Sequence, residues 1–274
     1  MVLKEDKHLV EESGMEQEIL DSYEPGLGRR RVARAAARQM PRTGPSLPPL
    51  TYIHLTERPL RRLPQLFTGL ALYGISLSVM VRASLGLSPW SVLNEGLEHR
   101  TSLSFGTITA VVAVLVLLLW IPLKQRPTFG TVANIVVVAC SSDLGLLLIP
   151  MDLGLPARAG LLVGGILLNG LSIAVYVGAR FGPGPRDGLM TGLSAATGRS
   201  IRLIRTLIEI TVLAVGGLLG GTAGVGTVLY ALTVGPLTQF FMPWFAYSST
   251  AERRRRGTVR ESVRTARLRY RPTR

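Results

Sequence analysis

Apolar residues dominate the chain between positions 63 and 245 and are scarce on either side of that region. They form runs of about 20 residues, the length that an α-helix needs to cross about 30 Å of hydrocarbon. Six runs are predicted as transmembrane helices, at residues 63–81, 104–123, 129–149, 157–179, 201–221 and 225–245. The pattern therefore predicts an all-α membrane protein with about six transmembrane helices.

Two shorter segments, at residues 86–102 and 182–200, interrupt the apolar pattern. Each begins with Gly and Pro and continues as an amphipathic stretch whose charges would face lipid at high cost, so neither is expected to cross the membrane. Pro89 and Pro185 favour the start of a short helix, and a helix N-terminus attracts anions. The alternative is that both are plain turns, capped by Ser88 and Gly184.

The net charge of +14 lies mostly in the tails and loops of the 274-residue chain. Residues 1–60 are predicted as a disordered polar and basic tail, and residues 248–274 as an Arg-rich cytoplasmic tail. Nucleic acid is not an expected partner, because the basic tails hold few aromatic residues for base stacking. Arg62, Lys124, Arg186 and Arg253 fall on one side of six crossings, so the positive-inside rule predicts that both termini lie in the cytoplasm.

The chain aligns with itself, without a gap, when it is shifted by 96 residues. Glycines and prolines match as well as apolar residues: Gly69, Gly74, Gly86 and Pro89 align with Gly165, Gly170, Gly182 and Pro185. We interpret residues 61–156 and 157–247 as two copies of one repeat. Three crossings per copy would invert the second copy in the membrane, as in many transporters. If the interrupted segments crossed too, each copy would have four spans and the copies would be parallel.

Candidate binding or gating residues lie in the two interrupted segments and in the fifth predicted span. They are Pro89, Trp90, Ser91, Asn94, Glu95, Pro185, Arg186, Asp187, Thr191 and Glu209. Interrupted segments at equivalent places in two repeats often form a site near the midplane of the membrane.

Several candidates have two interpretations. Arg186 and Asp187 fit either a substrate-binding pair or gate, or a structural ion pair at the cytoplasmic boundary. Asn94 and Glu95 fit a hydrated vestibule as well as a binding site. An intramembrane acid such as Glu209 is a candidate proton relay, but Arg205 precedes it by one helical turn, and an internal salt bridge is the simpler expectation.

Catalytic and metal sites are not expected, and neither is a cofactor. The three histidines, His8, His54 and His99, are dispersed, and the one cysteine, Cys140, lies within an apolar run. No nucleophile and base can be paired from these residues, so an enzyme is not expected.

The stretch Gly182-Pro183-Gly184-Pro185-Arg186-Asp187-Gly188-Leu189-Met190 and the looser Ser88-Pro89-Trp90-Ser91 resemble the bacterial YczE/YitT-type integral membrane proteins. The resemblance covers about residues 63–245. Related sequences often have Asp where this chain has Ser91, so an acidic role is not carried over to that position. The resemblance implies a multi-pass plasma-membrane protein of a largely uncharacterised family and leaves substrate and mechanism open.

The leading hypothesis is a transporter or channel for a small solute or ion, inferred from the architecture. The alternative is a non-transporting membrane partner or regulator. In both, the bilayer is a partner, and the Arg-rich tail is a candidate contact for anionic lipid.

Overall fold

The computed structural model describes residues 52–250 and residue 252. The predicted tails therefore lie outside the described residues at positions 1–51 and from Arg253 onward. The described chain is α-helical, as predicted. Its helices are α1 (Pro59–Ala83), α2 (Pro89–Glu98), α3 (Phe105–Leu118), α4 (Phe129–Leu148), α5 (Leu155–Gly178), α6 (Pro185–Thr197), α7 (Ile201–Leu218) and α8 (Val225–Phe245).

Helices form at all six predicted spans, but four of them, α1, α4, α5 and α8, are long and apolar enough to cross a membrane by length and composition. Helix α3 ends at Leu118, earlier than predicted, because the chain turns through Lys124 and buries Trp120 against the start of α6. Helix α7 has 18 residues and carries Arg202, Arg205 and Glu209. The crossings by α3 and α7 therefore stay a prediction.

The two interrupted segments form the short helices α2 and α6, and each starts with a proline, as predicted. Gly86 and Gly182 precede them with φ of 117° and 110°, values that glycine adopts without the strain that a side chain would cause. Ser88 caps α2 by accepting the backbone N–H of Ser91, whereas Gly184 offers α6 no side-chain cap. The first backbone N–H groups of α6 therefore have no acceptor from the N-cap side chain, unlike those of α2.

Helices α1 and α5 form the central contact of the fold and run antiparallel. A Cβ atom on Gly69 would lie 2.6 Å from the backbone nitrogen of Tyr176, and one on Gly165 would lie 2.7 Å from Cγ of Met80. Gly165 follows Gly69, and Tyr176 follows Met80, by the same 96 residues. The close approach is therefore made twice, once from each helix.

Two arginines close the ends of this helix pair in the same way. The Nε of Arg62, near the start of α1, donates to the carbonyl of Ala179, and its Nη2 donates to that of Arg180, both at 3.0 Å. The Nε of Arg158, near the start of α5, donates to Ala83 at 2.8 Å, and its Nη2 donates to Ser84 at 2.7 Å. Each arginine thus binds the carbonyls at the end of the other helix.

The remaining N–H groups of Arg62 also bind carbonyls. Its Nη1 donates to His54 and Glu57, and its Nη2 donates to Ile53 as well, while the guanidinium lies 4.2 Å from the ring centre of Phe181. The positive-inside rule counts Arg62 among the loop arginines that orient the chain, but its side chain is fully buried. Complete hydrogen bonding is what makes such burial tolerable.

The first turn of α4 contacts the residues that follow α5, and the first turn of α8 contacts the residues that follow α1. The backbone N–H of Gly130 donates to the carbonyl of Phe181 at 3.2 Å, and that of Gly226 donates to the carbonyl of Leu85 at 2.8 Å. These contacts again lie 96 residues apart. They hold the segments before α6 and α2 in place, so that the starts of both short helices lie inside the bundle.

Glu57 joins the segment before α1 to the residues after α8. Its Oε1 accepts the backbone N–H of Thr250 at 2.7 Å and the hydroxyl of Tyr247 at 3.2 Å. The hydrogen bond from the Thr250 backbone lowers the pKa of the Glu57 carboxyl, with help from the side chains of Thr250 and Tyr247. The carboxylate form is thus the one that ties these two segments together.

We expect Gly69→Ala to lower the free energy of unfolding by about 1–3 kcal/mol, because the added methyl group meets the Tyr176 backbone, which cannot rotate away. Gly165→Ala meets the flexible Met80 side chain and should cost less. Gly160→Ala is the matched control, since nothing lies within 4 Å of its Cβ position. The measurement is unfolding of the purified protein by denaturing detergent. Equal effects of Gly69→Ala and Gly160→Ala would contradict the close helix contact.

A second prediction concerns pH. A carboxyl whose pKa is lowered by folding stabilises the fold above its unfolded pKa, near the ordinary value of 4.5, and loses that contribution as the pH falls through its folded value. The midpoint temperature of thermal unfolding should therefore decrease as the pH is lowered below about 4.5. The decrease should be less steep in Glu57→Gln. The exposed Asp152→Asn serves as the control and should follow the parent. Identical pH profiles for the parent and Glu57→Gln would contradict a stabilising role for the hydrogen bonds from Tyr247 and Thr250 to Glu57.

Candidate functional site

The starts of α2 and α6 face a cavity of about 270 Å³ within the helix bundle. Its wall includes residues from all eight described helices. Among them are Tyr73, Pro89, Trp90, Thr109, Ala113, Asn134, Tyr176, Pro185, Arg186, Asp187, Arg205, Glu209, Tyr230, Gly235, Thr238 and Gln239. At roughly 30 Å³ per water molecule in the liquid, this volume suits a small polar ligand or headgroup.

Trp90 and Arg186 meet in this cavity, and they occupy equivalent positions in the two repeats. The guanidinium carbon of Arg186 lies 4.8 Å from the ring centre of Trp90, a cation–π contact. Trp90 is 7% exposed, and its indole Nε1 is buried without a hydrogen-bond partner among the described residues. A buried donor of this kind is costly unless something accepts its hydrogen, and a molecule in the cavity, water or ligand, can do so.

Charged groups of both signs come from the second repeat. Arg205 donates through Nε to Oε1 of Glu209 at 2.8 Å, which confirms the predicted salt bridge one helical turn apart. Asp187 lines the cavity and accepts a 3.4 Å hydrogen bond from the hydroxyl of Tyr176. Arg186 and Asp187 form no ion pair within 4.0 Å among the described residues, so the alternative of a structural pair between them is wrong. Two cations and two anions thus line the cavity.

The first repeat supplies neutral residues at the equivalent positions. Thr109 and Ala113 occupy in α3 the places that Arg205 and Glu209 occupy in α7. Asn134 of α4 corresponds to Tyr230 of α8, and both line the cavity. The walls therefore share positions but differ in charge, so that a bound ligand would meet one neutral and one charged face.

Six of the ten predicted site residues line this cavity: Pro89, Trp90, Pro185, Arg186, Asp187 and Glu209. The other four lie elsewhere. Ser91 is buried and shares a hydrogen bond with Ser88, while the side-chain amide of Asn94 donates to Thr109 at 2.8 Å. The hydroxyl of Thr191 bonds the backbone of its own helix, and Glu95 accepts the backbone N–H of Thr222.

Three tyrosines that are not among the predicted site residues also line the cavity: Tyr73, Tyr176 and Tyr230. Tyr73 and Tyr176 stack edge to face with ring centres 5.8 Å apart, and Tyr230 donates to Oδ1 of Asn169 at 3.1 Å. A tyrosine in the middle of an apolar span was the available signal, because its hydroxyl needs a partner away from water.

A second, wider cavity of about 740 Å³ contains Glu95, Glu98, His99 and Asp143. Burial raises the pKa of Glu98, His99 opposes that change, and the carboxylates of Glu95 and Asp143 add to it. This acidic cavity fits the predicted hydrated vestibule at Glu95. It lies beside the start of α3, where Asp143 accepts hydrogen bonds from Ser104 Oγ at 2.6 Å and from the Gly106 backbone at 2.7 Å.

The helix pairs beside the two cavities differ in how closely they pack. Helix α3 packs against α4, and a Cβ on Gly106 would lie 2.2 Å from the carbonyl oxygen of Ala139. Helices α7 and α8, their equivalents, do not pack along each other, and α7 buries only Ile204 and Gly216. The first cavity lies at this gap, with Arg205 on one side and Thr238 on the other.

The side chains of the first cavity suit the binding of a polar ligand. It offers cationic, anionic and hydroxyl groups together with an aromatic face, a set suited to holding a polar ligand. Groups of three or more His, Cys, Asp or Glu that could hold a metal ion do not occur among the residues that the structure describes.

Comparison with known proteins gives the family. A family of unknown function, DUF6198, matches residues 60–243. An uncharacterized protein of Haemophilus influenzae is 37% identical over 177 residues, which cover 65% of this chain and 81% of that protein. The uncharacterized membrane protein YczE of Bacillus subtilis is 30% identical over 183 residues, which cover 65% of this chain and 83% of that protein. No solved structure matches.

The YczE match and the apolar helices identify a membrane protein and confirm the YczE-type resemblance. These relatives carry no named substrate or activity. The matched residues take in all eight described helices apart from their outermost residues, so the family match and the cavity concern the same part of the chain. The chain belongs to the family of unknown function DUF6198.

Proposed function

We propose that this protein is a transporter of the plasma membrane, built from two inverted copies of one repeat, with the cavity between α2 and α6 as its solute-binding site. The single observation that carries the proposal is the meeting of Trp90 and Arg186, equivalent residues of the two repeats, in one cavity. Sites formed by the interrupted segments of inverted repeats are a common plan for transporters.

Reciprocal contacts support the inverted arrangement. Arg62 binds the end of α5, and Arg158 binds the end of α1. In the same way, the backbone of Gly130 donates to Phe181, and that of Gly226 donates to Leu85. Contacts that exchange partners in this way are those expected of a two-fold relation between copies. Under that relation α3 and α7 also cross the membrane, giving six crossings, and the charge distribution then favours cytoplasmic termini.

The unequal packing of the two halves supports alternating access. Under the proposed orientation, the closed contact between Gly106 and Ala139 faces outside, and the gap at Arg205 and Thr238 faces the cytoplasm. The described conformation is then open inward. A second conformation, with α7 closed on α8 and α3 released from α4, would expose the same cavity to the outside.

Asp143 is the residue that we expect to hold the outer side closed, because its carboxylate accepts hydrogen bonds from both Ser104 and Gly106 at the start of α3. Asp143→Ala should release this contact and raise the population of the outward-open state. The test places single cysteines at Thr238, at the inner gap, and at Ala113, on the α3 wall, in a Cys140→Ser background. Impermeant thiol reagents are applied from each side of oriented vesicles.

We expect Thr238→Cys to be labelled from the cytoplasmic side. Ala113→Cys should become labelled from the outside several-fold faster when Asp143→Ala is added. Asp152→Ala, which changes an exposed carboxylate of the α4–α5 turn, is the matched control and should leave both rates unchanged. Labelling of Ala113→Cys from one side alone, with or without Asp143→Ala, would contradict alternating access and favour the non-transporting partner.

A further inference from the structure

We propose that the ligand of this cavity is an amphiphile of the cytoplasmic leaflet, whose zwitterionic phosphate headgroup enters the cavity while its alkyl chain passes out between α7 and α8. This inference rests on the binding site of the proposed function and names its ligand class. It comes from the place at which the cavity opens, the charges within it and its size.

The gap between α7 and α8 adjoins the cavity. Arg205 and Glu209 of α7 line one side of the cavity, and Gly235 and Thr238 of α8 line another, while the two helices do not pack along each other. Arg205 lies about one turn from the start of α7, and Thr238 about two turns from the end of α8. Because α7 and α8 are consecutive and linked by a short turn, these two ends lie at the same membrane face.

Pro236 lies in α8 next to this gap. Proline has no N–H, so the carbonyl of Leu232 loses its helical hydrogen bond, and the proline ring crowds the same carbonyl. Cys140 occupies the equivalent position in α4, which packs against α3. Gly235 precedes the proline, and nothing lies within 4 Å of its Cβ position. The space beside Gly235 is therefore open.

The two helices that flank the gap carry exposed apolar side chains. Leu207 and Ile210 of α7 are more than half exposed, and so are Val228 and Leu232 of α8. Exposed apolar side chains on a membrane helix face hydrocarbon, so a ligand that leaves the cavity by this route enters lipid.

The polar part of the ligand is indicated by the charges of the cavity. Arg186 and Arg205 are cationic, Asp187 and Glu209 are anionic, and their formal charges cancel. A headgroup with a phosphate and an ammonium group matches this set, and the phosphate can accept the unused N–H of Trp90. The cavity of about 270 Å³ has room for a headgroup but not for the chains of a lipid, which must then lie in the gap.

The test measures binding to the purified, lipid-depleted full chain by native mass spectrometry. The probes are a lysophosphatidylethanolamine, glycerophosphoethanolamine as the headgroup alone, and a monoacylglycerol with the same chain. We expect the lysophosphatidylethanolamine to bind at least tenfold more tightly than either of the other two. Arg186→Gln should weaken that binding and leave binding of the monoacylglycerol unchanged.

Gly235→Phe fills the gap and should weaken binding of the lysophosphatidylethanolamine at least tenfold. Gly217→Phe is the matched control, because Gly217 also has open space around its Cβ position and does not line the cavity. The control should bind as the parent does. Thermal unfolding of both variants shows whether each is folded, so that lost binding can be assigned to the gap.

Three results would overturn the amphiphile. Equal binding of glycerophosphoethanolamine would mean a water-soluble ligand, and equal binding of the monoacylglycerol would mean nonspecific attachment of the chain. If the parent protein is a dimer and Gly235→Phe makes it a monomer without changing lipid binding, the gap would be an interface between copies. The cysteine labelling described above tests transport separately, so either proposal can fail without the other.

Discussion

The antiparallel contact between α1 and α5 is the constraint on which the rest of the described structure depends. Gly69 and Gly165 let the two helices approach closely, and Arg62 and Arg158 bind the carbonyls at the opposite ends. The chain must then leave α1 and α5 in fixed directions, at Ser84 and Arg180, both of which have positive φ. Because those exits are fixed, α2 and α6 begin inside the bundle and their first residues meet.

The two repeats share backbone contacts and differ in the side chains that line the cavity. Where the first repeat has Trp90, the second has Arg186, and these two residues contact each other. The sizes of nearby side chains also differ between the copies. Gly188 of α6 leaves room for the ring of Trp120, whereas Gly216 of α7 leaves room for the backbone of α2. Positions 96 residues apart thus share backbone contacts but carry different side chains, and the second predicted copy supplies the charged ones.

Local patterns in the sequence were enough to predict the helices, the two short segments and the Arg205–Glu209 pair, because each depends on residues close in the chain. Six of the candidate site residues also lie in the cavity. Five of them lie at the starts of the two short helices, whereas Glu209 comes from α7. The roles of Arg62 and the tyrosines could not be predicted. Arg62 binds Arg180, 118 residues away, and counting charges near a span cannot distinguish a buried arginine from a loop arginine.

We propose that the two repeats lie inverted in the membrane, and labelling of the turns between helices in intact cells distinguishes this arrangement from a parallel one. Single cysteines at the exposed Arg126, Asp152, Arg199 and Ala223, in a Cys140→Ser chain, would be treated with an impermeant maleimide before and after permeabilisation. Inverted repeats predict that Asp152→Cys and Ala223→Cys react in intact cells, and that Arg126→Cys and Arg199→Cys react only after permeabilisation. Reaction of Ala223→Cys only after permeabilisation would place both ends of α7 in the cytoplasm and contradict the inverted arrangement.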